Sequence, residues 1–386
     1  MKIIYISTPF FADCDFPLIR EMQAQGLDVT YLIILTPNSL KSTLFDIKKQ
    51  YPKNEIIPIA IYPEFNIYKK YMSLEKVHIA NRTSVGESSL SALSMTLKLY
   101  KFIKNGNYDV IHADCMLDMY NLLLYKAFKS KFVLTIHDPF PHTGETGWRK
   151  KLKYQIAMGI VQKFVLLNYK QKEKFCKLYR IPQNRIAINK LGVYDNILAF
   201  TNESVKEKKN NILFLGRISP YKGVEYLCNA MENIHTQIPD ATLTIAGGGN
   251  FYFNIEPYKD LPWIDIRNYY ITMEELAELV QQCTISVCPY TDATQSGVIM
   301  TCYSLCKPVI ATNVGGLGEM VEHGKTGFLV PAKDSDALAD AIIKMLDSPS
   351  NRENMQQYIQ DNYFKGEKSW KAIVKKYISF YTRPIK

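Results

Sequence analysis

What most constrains this chain is a repeated alternation: a run that is apolar at nearly every position, a turn rich in Gly, Pro, Ser or Thr, then a segment of helical character. KIIYIS (residues 2–7) ends in the turn residues STPFF. A helix is expected over Pro17–Gln25, with Pro17 near its first position and Gly26 just past its end. DVTYLIIL (28–35) is the next apolar run, and the order recurs in YDVIHAD (108–114), NLLLYKAFKS (121–130) and KFVLTIHD (131–138). Apolar strands alternating with helices form a parallel sheet covered on both faces. A second series opens at NILFLGR (211–217). It continues through helix GVEYLCNAMENIH, strand ATLTIAGGG (241–249), helix MEELAELVQQ (273–282) and strand TISVCPY (284–290). Helix SGVIMTCYSLC (296–306), strand KPVIATN (307–313) and the amphipathic helix ALADAIIKMLD (337–347) complete it.

The 386 residues are enough for two domains at roughly 100–200 residues each. The expected fold is α/β, with two tandem doubly wound Rossmann-like domains facing each other across a cleft. Ligands belong at the carboxyl ends of the strands. The first domain is expected over 1–200 and a polar interdomain linker over 201–210 (within TNESVKEKKNN). The second domain is expected over 211–362. A basic amphipathic C-terminal helix is expected over 363–386, docking back on the first domain.

Charge divides along the same lines. Residues 1–200 carry 28 Lys/Arg against 16 Asp/Glu, 201–350 carry 11 against 18, and 351–386 carry 8 against 3. One domain therefore suits an anionic partner. The densest basic segment, Arg149–Lys190, holds twelve basic residues and one acid, Glu173. It reads equally as a solvated helix face or as a surface for an anionic membrane or acceptor. No RNA-binding aromatic motif or zinc finger accompanies the charge, which argues against nucleic acid. No run of about 18 apolar residues is present, so no transmembrane helix is expected. Asp13 and Asp15 stand where a signal-peptide cleavage site would need small residues. The eight cysteines follow neither a disulfide nor a zinc pattern, which fits buried thiols in a reduced cytoplasmic protein.

Four loops of the second series follow strands and open helices. In GRISPYKG (216–223), Arg217 and Lys222 can clamp a diphosphate, Arg as a fork and Lys as a point charge; surface charge is the plainer alternative. In AGGGN (246–250), Gly247 and Gly248 allow close approach of backbone to ligand, or simply a tight turn. In DATQSGVIM (292–300), Gln295, Ser296, Gly297 and Val298 begin a helix whose free amides make an anion site. Ser296 alone would equally be an N-cap. GGLGEMVEHGKTG (315–327) carries Glu319, interesting as a ligand carboxylate and equally at home in a first helical turn. In the first series, TIHDPFPHTG (135–144) places His137 beside Asp138 at a strand mouth, with His142 a weaker candidate.

LFLGRISPYKG, PYTDATQSGVIMTCYSLCKPVIATNVGGLGEMVEHGKTGFLV and VLTIHDPFPH together resemble the retaining glycosyltransferases of family 4, which have the two-domain GT-B fold. The resemblance is strong over Asn211–Pro331 and scattered over 1–195. It implies that Arg217 and Lys222 hold the donor diphosphate and that the amides of Gly297 and Val298 meet the distal phosphate. It implies too that Gly216 belongs to the donor site, that Gly315 and Gly316 form the family's turn after the next strand, and that His137 contacts the transferred sugar. The family's usual two glutamates, eight positions apart, would fall at Ala293 and Thr301, and Thr301 takes the place of the ribose-binding carboxylate. This loop is similar to an ATQSG-type branch of the family, and Asp292 is positioned to replace one carboxylate. The opening loop STPFFADCDFP also lacks the family's usual Gly-Gly.

The function implied is retaining transfer of a sugar from a UDP- or GDP-linked donor to a saccharide or lipid-linked acceptor, in cell-surface polysaccharide or glycolipid synthesis. The location implied is cytoplasmic, on the inner face of the membrane. No metal-ligand cluster is apparent, so no metal and no cofactor beyond the nucleotide sugar is expected. With no carboxylate placed as nucleophile, the expected chemistry is front-face transfer. Arg217, Lys222 and the helix start stabilise the leaving diphosphate, which takes the acceptor proton, and His137 orients the sugar. The rivals are a catalytically inactive glycosyltransferase-like binding subunit and a GT-B nucleotide-sugar epimerase. A nicotinamide-dependent enzyme is disfavoured, because no G-x-G-x-x-G follows the opening strand.

Overall fold

The computed structural model describes residues 1–39, 51–137, 139–140 and 148–384, without the side chains of 148–150. Asp138, Pro141 and His142 lie outside the described residues. The chain divides into two compact units, Met1–Leu191 with Trp370–Lys386, and Gly192–Ser369.

Unit 1 runs β1 (Lys2–Ser7), α1 (Ala12–Ala24), β2 (Asp28–Leu35), β3 (Ile56–Pro58), β4 (Val77–Asn81), α2 (Leu90–Gly106) and β5 (Val110–Ala113). It continues with α3 (Leu122–Ala127), β6 (Phe132–Ile136), α4 (Trp148–Ile160), β7 (Lys163–Leu166), α5 (Lys172–Tyr179) and β8 (Ile186–Ile188). The sheet order is β3-β4-β2-β1-β5-β6-β7-β8, parallel except for the edge strand β3. Connections leave β1 toward β2 but from β4 onward run the other way. The switch point therefore lies between β1 and β5. Right-handed crossovers then put α2 to α5 on one face. One apolar cluster records this, joining Met95, Leu99, Leu124, Tyr125, Ala157 and Phe175 to the strands.

Helix α1 begins earlier than the sequence predicts, and Pro17 sits inside it. The helix grows directly out of a 3-10 turn at Pro9–Phe11, and Asp13 and Asp15 occupy its first turn, where the helix dipole favours acids. The missing N–H of Pro17 costs one bond in the second turn, and the fully buried Phe16 and Ile19 hold the helix through that loss.

Unit 2 runs β9 (Asn211–Leu215), α6 (Val224–Gln237), β10 (Thr242–Ala246), α7 (Glu256–Lys259), β11 (Ile264–Arg267), α8 (Met273–Gln282) and β12 (Ile285–Cys288). It continues with α9 (Gly297–Ser304), β13 (Val309–Thr312), α10 (Leu317–Met320), β14 (Gly327–Val330), α11 (Ser335–Leu346) and α12 (Pro349–Ile359). Its strands are all parallel in the order β11-β10-β9-β12-β13-β14, and its switch point lies between β9 and β12.

The units part at Leu191/Gly192 rather than at 200, because Tyr194 N–H donates to the Met300 carbonyl of α9. The polar stretch 201–210 is strapped to unit 2. Lys208 N–H donates to the Gln282 carbonyl, and Thr284 Oγ1 donates to the Lys208 carbonyl at 2.9 Å. The return point is 369/370 rather than 362/363, since α12 runs on through a π-helical turn at Gln360–Lys365. The last helix, α13 (Trp370–Thr382), packs on α1. Lys163 Nζ donates to its Tyr381 carbonyl, and Asn189 Nδ2 to its Ile373 carbonyl. All eight cysteines are free thiols.

Candidate functional site

The switch point of unit 2 gathers most of the predicted donor residues. Strand β9 ends at Leu215, and Gly216 then adopts φ +125°. A 3-10 turn at Pro220–Lys222 closes on Gly223 (φ +64°), which opens α6. A β-carbon on Gly223 would stand 2.0 Å from the Pro289 carbonyl oxygen, so only glycine lets this turn lie against the end of β12. Thr291 N–H pins the turn by donating to the Tyr221 carbonyl at 2.8 Å. The next loop over is joined just as closely. A β-carbon on Gly247 would meet the Gly216 carbonyl oxygen at 2.2 Å, and Ile218 N–H donates to the Gly248 carbonyl. Gly247 and Gly248 thus serve contact between neighbouring loops, which gives them a structural reason independent of any ligand.

Lys222 projects from that turn onto aromatic rings. Its ammonium lies 3.7 Å from the centroid of the Tyr290 ring and 5.3 Å from that of Tyr221. Among the described residues, neither Lys222 nor the exposed Arg217 has a side-chain hydrogen bond or ion pair. Burial, with the Arg217 charge adding to it, lowers Lys222 to about 8. Burial and a second cation nearby, with no ion-pair partner among the described residues, make the charged form of this lysine costly.

Tyr290 continues the path to α9. Its ring is fully buried, and its hydroxyl lies 3.3 Å from Ser296 Oγ. Ser296 stands at the N-cap position of α9, but its hydroxyl caps no backbone amide there; its own N–H points at Met320 Sδ. The N-cap alternative is therefore not realised, and the amides at the start of α9, those of Gly297 and Val298 among them, have no side-chain cap. Val298 is placed against the first loop, since a β-carbon on Gly216 would lie 3.8 Å from Val298 Cγ2. Gly216, Arg217, Lys222, Ser296, Gly297 and Val298 thus share one crown.

The remaining predicted residues are more peripheral. Asp292 is exposed in the bend after β12, and Gln295 is half-buried. Thr301 lies in the second turn of α9 and is buried. Glu319 is half-buried on the single-turn α10, next to the Met320 that touches Ser296.

At the switch point of unit 1, His137 follows β6 and is buried. Its Nε2 lies 2.7 Å from Asp114 Oδ2, and its ring stacks on Phe11 at 4.0 Å. Tyr5 Oη donates to Asp114 Oδ1 at 2.7 Å, and Tyr31 Oη donates to Asp15 Oδ2 at 2.9 Å. Burial pushes Asp114 up, but the His137 charge and the hydrogen bonds of His137 and Tyr5 outweigh it and leave Asp114 below the ordinary carboxylate range. Among the described residues no such cation faces Asp15; burial and the Asp114 charge push it well up. Cys14, Asp15 and Asp114 bring three donor atoms within 4.8 Å of one another, a spacing a metal could use. Both carboxylates already accept tyrosine hydroxyls, and Asp114 also pairs with His137. Sequence reasoning missed Asp114, Asp15, Phe11 and Tyr290. Of these only Asp114, a lone acid closing the apolar run VIHA, carried a visible signal.

Two family models match the chain. One, described as glycosyl transferases group 1, covers residues 209–348; the other, glycosyltransferase family 4, covers 17–195. An uncharacterized glycosyltransferase of Methanocaldococcus jannaschii is 26% identical over 303 residues, 71% of this chain and 75% of that protein. The D-inositol 3-phosphate glycosyltransferase of Pseudarthrobacter chlorophenolicus is 27% identical over 282 residues, 65% of each chain. The alpha-D-kanosaminyltransferase of Streptomyces kanamyceticus is matched over only 39% of its length. In fold, the chain is similar to Anabaena HepE, solved in complex with UDP and glucose (TM-score 0.68, 16% identity, 98% of this chain and 99% of that one). It is similar also to a sucrose-phosphate synthase from Thermosynechococcus elongatus (TM-score 0.68, 17% identity, 99% and 98%).

Proposed function

The chain belongs to the glycosyltransferases of GT-B fold, and from that premise we propose that it transfers a sugar from a UDP- or GDP-linked donor with retention and without a metal. The observation that carries this reading is the pair of unpaired cations, Arg217 and Lys222, beside the uncapped start of α9. A diphosphate supplies the negative charge these groups lack, and it gains more as the glycosidic bond breaks. Cations already fixed in place then favour the transition state over the ground state. The UDP bound to HepE, a protein of the same fold, is in keeping with this.

His137 of unit 1 is the residue proposed to orient the transferred sugar, and Asp114 fixes its ring. The acceptor proposed is a saccharide or lipid-linked saccharide of a cell-surface polysaccharide or glycolipid pathway, at the cytoplasmic face of an anionic membrane. The basic charge of residues 1–200 supports that location.

The test is a thermal-shift and calorimetric screen against UDP, GDP, ADP and their sugar conjugates, with and without chelator, on the wild type and on Arg217→Ala and Lys222→Ala. A nucleotide at 100 times its Kd adds about 2.7 kcal/mol of stability. The reading requires such a shift in the wild type and its loss in both variants. No shift with any nucleotide refutes it. A shift without transfer to any saccharide acceptor favours the inactive binding subunit, and turnover of donor sugar without acceptor favours the epimerase.

A further inference from the structure

We propose that the outer face of helices α2, α3 and α4 is an interfacial docking surface for an anionic lipid bilayer. This deepens the membrane partner named above by giving it a place in the fold. The three helices hold eight Lys/Arg and no Asp or Glu; Lys98 pairs with Glu55 and the buried Lys153 with Glu87, which leaves the other six to the charge of the face. The sequence alone pointed to 149–190, a linear segment; the right-handed crossovers bring α2 and α3 onto the same face as α4. The helices are contiguous. Thr96 Oγ1 on α2 donates to Asn121 Oδ1 just before α3 at 2.8 Å, the Tyr100 and Phe128 rings lie 5.5 Å apart, and α3 packs on α4.

Their inner faces build the core, while their outer faces carry apolar side chains that a water-facing helix has no use for. Leu97 is 54% exposed, Leu123 55%, Leu152 43% and Ile156 38%. Leu152 and Ile156 are one turn apart on α4. Among them stand Lys101, Lys126 and Lys151, all exposed and none with a side-chain partner among the described residues. Basic side chains interleaved with leucine and isoleucine, with no acid on the helices, match a surface of anionic headgroups over an acyl boundary. No helix among the described residues is long and apolar enough to cross a membrane, so this contact lies on the bilayer surface. A nucleic acid would satisfy the lysines but offers nothing to the exposed aliphatic side chains.

The full chain is sedimented with vesicles of phosphatidylcholine, with or without phosphatidylglycerol, at low salt and at about 1 M salt, where screening extends only ~3 Å. A single-stranded oligonucleotide is titrated in parallel. Binding is expected only to the anionic vesicles and to weaken at high salt. Lys101→Glu/Lys126→Glu/Lys151→Glu should reduce it about 100-fold. Leu123→Ser/Leu152→Ser/Ile156→Ser should reduce it about 10-fold with the charge intact. Both variants should keep the wild-type melting temperature and UDP-induced shift, since none of these residues lies in the nucleotide site. The proposal is overturned by no binding to anionic vesicles, by binding indifferent to both triple variants, or by tighter binding to the oligonucleotide than to vesicles. Because vesicle binding is read without donor or acceptor, its failure leaves the transferase reading standing, and loss of the UDP shift leaves this proposal standing.

Discussion

Replacing Lys222 by Met is expected to stabilise the empty protein while removing most of its hold on a nucleoside diphosphate. An ordinary lysine titrates near 10.5, and here burial brings the value to about 8. At 1.36 kcal/mol per unit, keeping this ammonium charged in the empty site costs roughly 3 kcal/mol. The Tyr290 ring returns about 0.5–2 kcal/mol through cation–π attraction, so the net gain from Lys222→Met is about 1–2 kcal/mol. The sign with pH follows. At pH 7, below both values, the lysine is charged folded and unfolded, and the whole cost is present. Between about 8 and 10.5 the folded state sheds its proton while the unfolded chain keeps it, so the wild type gains on the variant as pH rises. A diphosphate inverts the balance at pH 7 by pairing the charge and recovering most of that cost, about 100-fold in affinity, which Met forfeits. Affinity of the wild type should also fall as pH rises through 8, with proton uptake on binding, while that of the variant stays flat. Urea unfolding at pH 7 and pH 10, with and without UDP, reads all of this. A variant less stable than wild type at pH 7 that still gains full stability from UDP would refute the reasoning.

Four further substitutions probe the supports. Gly223→Ala forces φ +64° on a side-chain-bearing residue and drives its β-carbon into the Pro289 carbonyl; unfolding should show a loss of about 1–3 kcal/mol or more and calorimetry a weakened UDP signal. Asp114→Asn removes the carboxylate that accepts from Tyr5 and faces His137 and should cost about 1–3 kcal/mol, a penalty present at neutral pH and lost as acid protonates the depressed Asp114. Asp15→Asn should stay within about 1 kcal/mol of wild type and gain on it as pH rises, because burial disfavours the Asp15 charge; pH-dependent chemical denaturation separates the two. Ser296→Ala removes no cap but takes away the partner of the buried Tyr290 hydroxyl, so urea unfolding should show a loss of about 1 kcal/mol that tracks that contact rather than the start of α9.

Much of the fold was legible because parallel strands buried on both faces must be apolar at nearly every position. KIIYIS, NILFLGR and TISVCPY announce themselves by that alone. Helix α8 was legible to the residue, because Thr272 caps it through the Glu275 N–H and Cys283 ends it. The start of α1 was not, since a proline normally marks a first turn and here tertiary packing overrides that preference. The unit boundary was illegible for a related reason. A polar stretch looks the same whether it spans two domains or lies along one, and only the bonds of Lys208 to Gln282 and Thr284 decide. In the crown of unit 2, cations and glycines were readable as types. The Gly216–Gly247 and Gly223–Pro289 approaches depend on loops 31 and 66 positions apart and could not be read.

The two switch points share a topology and differ in what they leave undone. In unit 1, Asp114 accepts from Tyr5 and faces His137, Asp15 accepts from Tyr31, and Phe11 covers the imidazole, so the polar groups fix one another. In unit 2 the backbone is fixed by loop-to-loop approaches, while Arg217 and Lys222 have no side-chain hydrogen bond or ion pair among the described residues and the start of α9 has no side-chain cap. A site whose frame is satisfied and whose charges are not is preorganised for an anion. The same contrast bears on the missing carboxylate at position 293. Ala293 is buried, its carbonyl accepts from Gly316 N–H at 3.1 Å, and a β-carbon on Gly315 would stand 1.7 Å from that oxygen. Position 293 is held by these backbone approaches and is itself buried. Restoring a glutamate there would bury an unpaired charge rather than rebuild a contact. On the donor reading proposed above, the exposed Asp292 and the half-buried Gln295 and Glu319 are polar side chains of these loops that a donor sugar would meet.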